Sequence, residues 1–426
     1  MLSTRRFLHS QQMTASSTRS NHSSLYDRSF CCAFLSQIGF VLANTLMAHY
    51  SRWIGFLGAD LQQTGFIMGA GAVLSVFSRP WIGQWIDRFG ARNMWFVGYA
   101  IFATGSLSNL LLSELTWLIY ACRSMIVLGA AFVFSSSLTY ISHHSPPDRR
   151  TEAIGTLGIA GFIGMALGPF LGDLLLSGER SYAAFSTMFL LGGGILILPT
   201  LLLFFVTPLG DALQRSSVNP TQFLRTVIRF WPGMIVLVLA AFGLCMNIPF
   251  VFLARFVDDA GISLQAIPAV TLFFLCYSAT GITIRITARK VPDRFGRRKV
   301  LLLGTLVMST GMLLFQLVTP ENSWALVFPA IFCGGGHGLM FHTCTSLFLE
   351  PFPPESRGAG SALSLMVLDL GMIAGAPVLG ELAARYDYPK MFSALAAVVL
   401  FAGTCYMLVT IPIWKTRRRT TDTDQG

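Results

Sequence analysis

Hydrophobic residues along this chain gather into twelve long runs, at roughly 30–50, 62–80, 94–113, 115–140, 153–177, 182–206, 231–256, 265–287, 299–319, 323–349, 358–384 and 389–413. Each is close to the length of about 20 residues that an α-helix needs to cross the hydrocarbon core of a bilayer. Gly and Pro are frequent inside the runs, as spanning helices allow. The pattern predicts an all-α membrane protein with twelve transmembrane helices. The longest internal link, about 207–230, is basic and too short for a domain. It divides the chain into a six-helix half over 30–206 and a second over 231–414, flanked by segments 1–29 and 415–426.

The polar links carry a second pattern. One of them reads Arg79-Pro80-Trp81-Ile82-Gly83-Gln84-Trp85-Ile86-Asp87-Arg88-Phe89-Gly90-Ala91-Arg92. A copy follows 206 residues later: Arg285 answers Arg79, and Asp293-Arg294-Phe295-Gly296 repeats Asp87-Arg88-Phe89-Gly90. Asn44 and Arg52 answer Asn247 and Arg255 at an offset of 203. Glu114 and Trp117 answer Glu321 and Trp324 at 207; so do Pro146-Pro147-Asp148 with Arg150 and Pro353-Pro354-Glu355 with Arg357. Gly164 and Gly168 answer Gly371 and Gly375 at the same offset. Several matches at a nearly constant offset indicate a duplication. With six spans between copies, the repeats have the same orientation and are related by an axis along the membrane normal.

Composition fixes the solvent. Of 426 residues, 53% are hydrophobic and only 12% charged, against about 25% charged in soluble domains. Such a chain cannot cover itself with a polar surface, so its solvent is lipid. The net charge of +10 then reads as a topology signal before a nucleic-acid signal, and no nucleic-acid partner is expected. With both termini cytoplasmic, 24 of the 30 Lys and Arg fall on the cytoplasmic side. That predicts an even number of spans, and the expected location is a bacterial inner (plasma) membrane. Residues 1–29, rich in Ser, Thr and Arg, are expected to be a disordered cytoplasmic tail, although the composition also resembles a transit peptide. Segment 415–426 is a basic cytoplasmic tail. The eight cysteines have no metal-type spacing and read as small buried hydrophobes, so neither metal nor cofactor is expected.

The duplicated loop in a six-plus-six chain resembles that of the major facilitator superfamily, whose motif is Gly-x-Leu-Ala-Asp-Arg-x-Gly-Arg-Lys. Gly83, Asp87, Arg88, Gly90 and Arg92 match it; Trp85 replaces the leucine and Ala91 the first basic residue after the glycine. The second copy keeps Asp293, Arg294, Gly296, Arg297 and Arg298, with Arg289 in place of the first glycine. Gly164-x-x-x-Gly168-Pro169-x-x-Gly172 resembles the fifth-helix motif of exporters and antiporters, with Asp173 where a second glycine is usual. Arg123 stands in the fourth run, as in many members, but Val127 occupies the place of the glycine expected four residues later. The resemblance covers about 30–414. It implies two six-helix bundles that expose a central site alternately to either side, with the loop cluster holding the cytoplasmic side shut.

The residues themselves suggest roles. Gly83 would let a neighbouring helix approach its backbone. Asp87 would pair with a basic residue or helix N-terminus of the opposite half, with Arg88 and Arg92 bracing it. Topology alone would require the arginines, but not the glycines or the aspartate. The glycine face of the fifth run would pack two helices closely, as a stiff seal between the halves. Charges in mid-membrane are costly and should face the bundle interior. Asp369, in the eleventh run, is the candidate for proton coupling, and Arg123 for an anionic substrate group or a carboxylate. His49, His337 and His342 are hydrogen-bonding groups or proton acceptors. His337 and His342 are five residues apart and so poorly placed to share a metal. Asn44 and Asn247 hold equivalent places in runs one and seven, which line the cavity in the family, and are expected neutral substrate contacts.

The chain thus reads as a monomeric secondary transporter, with proton-coupled export of a small organic molecule as the leading function. Uptake of a sugar, organic acid or similar metabolite is the alternative. A transporter-derived sensor or structural membrane protein is disfavoured, since no appended soluble domain to signal through is expected. No acids or Cys/His pairs stand in a legible catalytic arrangement, and no phosphate-binding loop is present for ATP use.

Overall fold

The computed structural model describes residues 25–146, 149–178, 180–208, 220–288, 291–353 and 356–423. Among them are twelve helices long and apolar enough to cross a membrane. They are α1 (Arg28–Phe56), α2 (Leu61–Phe89), α3 (Ala91–Leu111), α4 (Leu118–His144), α5 (Glu152–Leu175), α6 (Tyr182–Leu203), α7 (Ile235–Asp259), α8 (Ala269–Thr287), α9 (Arg297–Leu317), α10 (Ser323–Leu349), α11 (Ala359–Arg385) and α12 (Tyr388–Thr410). The predicted twelve runs are therefore twelve helices. The end of the bundle where α1 begins and α12 ends is the terminal face; the opposite end is the far face.

Local chemistry sets the joints. Asp60 caps α2 in a reciprocal pair with Gln63. Gly90 closes α2 at φ 86° and Gly296 precedes α9 at φ 90°. Both duplicated glycines thus hold the left-handed backbone that other residues rarely adopt, which accounts for their place in the loop motif. Asp27 accepts from the Phe30 amide, so α1 starts inside the expected tail. Residues 1–24 of that tail lie outside the described residues, as do Pro147, Asp148, Arg289, Pro354, Glu355 and the side chain of Asp293. In the central link, a short helix, Pro220–Arg229, buries Phe223 and Val227 against α2 and α11, and residues 209–219 lie outside the described residues. Backbone helix continues through the expected basic tail to Thr423.

The duplication is visible in the packing. α1 packs on α5 as α7 does on α11; α3 on α4 as α9 on α10; and α2 on α4 as α8 on α10. Between the halves run two seams, α2–α11 and α5–α8, each the counterpart of the other.

The glycine face of α5 belongs to the first set. A Cβ at Gly164 would stand 2.6 Å from the Val41 Cβ, and one at Gly168 would stand 2.6 Å from the Leu42 carbonyl oxygen, both on α1. Thr45 Oγ1 of α1 also donates to the Gly164 carbonyl, at 2.9 Å. Gly371 and Gly375 of α11 press on Ala240 and Leu244 of α7 in the same way. This corrects the expected seal between the halves. The contact is tight, but it joins α5 to α1 within one half, because the face that meets α8 lies elsewhere on α5.

Candidate functional site

The far face is held by a buried charged cluster. Its centre is Arg52 of α1, which is 9% exposed. α1 slackens into a 3-10 turn over Met47–His49, just before Arg52. Arg52 donates through Nε and Nη2 to both oxygens of Asp258 on α7, at 2.8 and 2.9 Å. Its Nη1 lies 2.9 Å from Asp173 Oδ1 on α5 and 2.7 Å from His49 Nδ1. Arg180 pairs with the same Asp258 at 2.5 Å. Asp173 Oδ2 accepts from the Thr271 amide at 2.8 Å and from its hydroxyl at 2.7 Å. It thereby fastens α5 to the first turn of α8, in the other half. The residue that replaces the usual glycine is therefore an inter-half tie.

Arg255, the repeat counterpart of Arg52, does the same from the other side. It donates from α7 to the Ala59 carbonyl and to Thr64 Oγ1, at 2.9 and 3.1 Å. Gly55 leaves room for it: a Cβ there would stand 2.8 Å from Arg255 Nη1. The α2–α11 seam closes the far face with backbone instead. A Cβ at Gly380 would stand 2.6 Å from the Leu61 carbonyl oxygen, and one at Gly69 would stand 3.1 Å from Pro377 Cδ.

Deeper in, α2 and α11 are joined by charge. Arg79 donates to Asp369 Oδ2 through Nη2 at 2.7 Å and Nε at 3.1 Å. Ser75 adds a bond at 3.0 Å, and Arg79 Nη1 reaches Ser135 of α4 at 3.2 Å. Asp369 is thus not the isolated carboxylate that its apolar surroundings in sequence suggested. It is a tie across the seam, with an arginine partner 290 residues away.

The equivalent depth of the α5–α8 seam has different chemistry. Arg285 stands over Phe162 of α5 at 4.7 Å and over Phe341 of α10 at 5.2 Å. His337 is buried beside them, with its ring centroid 5.0 Å from that of Phe162 and Nδ1 2.7 Å from the Tyr277 hydroxyl. His342 lies one position beyond Phe341, half-buried. In α4, Arg123 stands over Tyr50 at 5.2 Å, and its buried Nε has no hydrogen-bond partner.

Other candidates are placed as follows. Asn44 and Asn247 occupy half-buried positions in α1 and α7. Asn247 donates to the Gly243 carbonyl of its own helix at 2.7 Å, whereas the Asn44 amide has no hydrogen bond among the described residues. His49 is fully buried, its Nε2 3.1 Å from the Pro169 carbonyl and its ring against Gly172. It therefore supports Arg52 at the far face rather than lining a cavity.

The loop cluster differs most from expectation. Asp87 forms no ion pair with another described residue. Arg88 lies over Phe89, and Arg92 donates to the Val206 carbonyl within its own half at 3.2 Å. Nothing lies within 4 Å of a Cβ built on Gly83. Among the described residues, neither the close helix approach at Gly83 nor a cross-half ion pair of Asp87 is present. Arg294, in the second copy, stands over Phe295 at 5.5 Å.

The chain resembles known proteins over nearly its whole length. It is 22% identical over 390 residues to a Lactococcus lactis protein named as a multi-drug resistance efflux pump PmrA homolog, covering 90% of this chain and 91% of the relative. It is 27% identical over 396 residues to the Multidrug resistance protein MdtG of Proteus mirabilis, covering 88% and 93%. Among solved structures, the nucleoside transporter NupG superposes with a TM-score of 0.70 at 16% identity, covering 90% of this chain and 98% of that one. A D-xylose-proton symporter superposes at 0.69 and 16%, covering 88% and 96%. The sequence profile described as Major Facilitator Superfamily matches residues 29–292 and 269–424. Twelve spans in two equivalent halves, the duplicated loop and this profile agree: the chain is an integral membrane transporter of the Major Facilitator Superfamily.

Proposed function

We propose that this transporter exports a small organic molecule by alternating access, in exchange for protons, with both termini in the cytoplasm of a bacterial cell. The arginine asymmetry supports that orientation. The terminal face is then the inner face, and the conformation described is closed to the outside by the Arg52–Asp173–Asp258 cluster. On this reading, Asp87, Arg88 and Arg92, with Asp293, Arg294 and their glycines, engage when the protein turns over, closing the inner face as the outer one opens. The α5 glycine motif and the names of the sequence relatives support the export direction.

The observation that carries the coupling is the Arg79–Asp369 tie. A proton on Asp369 removes the charge that holds Arg79 and loosens α2 from α11 at mid-depth. Loss of that proton restores the tie. One site on the seam thus converts proton movement into a change of contact between the halves.

The test is proton movement in acid-loaded inside-out vesicles offered a panel of drugs, sugars and metabolites. Substrate-dependent proton release in wild type, lost in Asp369→Asn, is the expected result. Flux without proton movement, or coupling unchanged in Asp369→Asn, removes Asp369 from the mechanism. Substrate-driven proton movement of the opposite sign would mean uptake on the same scaffold.

A further inference from the structure

The two seams are copies, so their differences are informative. At the 206 offset, Arg79 corresponds to Arg285 and Ser75 to Gly281; at 207, Asp369 corresponds to Phe162. In the α2–α11 seam, the arginine meets an aspartate, with a serine alongside. In the α5–α8 seam, the same arginine meets a phenylalanine, with a glycine alongside that leaves room for the ring: a Cβ on Gly281 would overlap Phe162. One arginine carries its own carboxylate. The other has had its place filled by an aromatic face.

Arg285 accordingly forms no ion pair among the described residues, and its buried Nε has no hydrogen-bond partner. A cation without a counter-charge is costly inside a membrane and marks a functional position. Aromatic faces attract a guanidinium but do not use its N–H donors, so its fork remains available to a planar anion. Around it stand the rings of Phe162, Phe341, Tyr277 and His337, an aromatic wall in which the Tyr277 hydroxyl and His337 Nδ1 are bonded to each other.

We propose that Arg285 receives the carboxylate of an organic anion whose apolar or aromatic body lies against Phe162 and Phe341. The substrate supplies the counter-charge that Asp369 supplies in the other seam. This deepens the transporter reading given above and rests on it for the word substrate, but the binding itself does not.

The test measures binding, without flux, as the rise in melting temperature of detergent-purified full-length protein. The probes are naphthoate, benzoate and octanoate, with naphthalenemethanol and naphthylmethylammonium as neutral and cationic controls. Wild type should be stabilised by at least one carboxylate and by neither control. Arg285→Gln should weaken that binding about tenfold or more, as expected for loss of a bidentate charged contact. Phe162→Asp with Gly281→Ser copies the α2–α11 seam, keeps every arginine, and should abolish binding by supplying an internal carboxylate. Phe162→Leu should retain it. If Arg285→Gln does not fold, the seam-copy variant carries the test. Failure of all three carboxylates to stabilise wild type, equal stabilisation by naphthalenemethanol, or undiminished binding in the seam copy would overturn the proposal. Carboxylate binding through Arg285 without transport would refute the transporter reading alone. Transport of neutral probes indifferent to Arg285→Gln would refute this inference alone.

Discussion

Replacing Asp173 by glycine, the usual residue of the fifth-helix motif, should open the far face. Asp173 is buried and makes two hydrogen bonds across the halves, to the Thr271 amide and hydroxyl. A hydrogen bond to a charged group contributes about 1.5–3 kcal/mol net. On the proposed alternating-access mechanism, both bonds lie between the parts that separate, so their loss acts directly on the equilibrium between far-closed and far-open states. The lower limit is about 3 kcal/mol, or roughly 100-fold in the ratio of the two states. The third bond, to Arg52, lies within one half and is not counted. Spin labels on Cys substitutions at Glu114 and Glu321, in a background without the eight native cysteines, would report the separation by electron–electron resonance. These exposed positions are repeat counterparts in the far-face loops. Asp173→Gly should move the dominant distance to longer values, and Thr271→Val, which removes only the hydroxyl bond, should move it part of the way. An unchanged distance distribution in Asp173→Gly would refute the claim that this carboxylate holds the far face shut.

Two further predictions concern packing and pairing. Gly164→Leu should lower the melting temperature sharply, since even a Cβ would stand 2.6 Å from Val41 and overpacking costs about 1–3 kcal/mol or more. Gly155→Leu, where nothing lies within 4 Å, should melt as wild type does, and equal losses at both sites would contradict the α5–α1 contact. Arg79→Ala and Asp369→Ala should each destabilise the purified protein, with a coupling of about 0.5–3 kcal/mol in the double-mutant cycle; additive effects would show that the pair is not a working tie.

Much of the architecture was legible in the sequence because bilayers impose a length and polarity rule on each helix separately. The duplication was legible because Gly164 and Gly168, like Gly371 and Gly375, serve the same local packing in each half. The partners of polar residues were not legible. Asp369 looked isolated because its arginine lies in another helix of the other half, and an offset between repeats relates equivalent positions, not contacting ones. Asp173 was visible as a departure from a motif, but the Thr271 amide it binds is a backbone group with no side-chain signature. Arg285 was read only as the repeat counterpart of Arg79. Its lack of a carboxylate shows only when the two seams are laid over one another. The loop cluster was read in its engaged form, whereas here Asp87 has no ion pair among the described residues and a Cβ on Gly83 would meet nothing within 4 Å.

The span between Arg79 and Asp369 also has a consequence for how the protein is made. At about 5–20 residues per second of synthesis, the separation of 290 residues takes roughly 15–60 s. For that time, α2 stands in the bilayer with a cation whose partner does not yet exist, a condition that costs about 2.5–3.5 kcal/mol for a central charge. Arg52 and Asp173 differ, since they pair with each other within the first half and gain only their second partners, Asp258 and Thr271, from the later one. The first six helices are therefore a biogenesis intermediate in which Arg79 has no carboxylate partner on its future seam. Docking of the newly made second half supplies that partner, so the Arg79–Asp369 tie favours assembly of the halves.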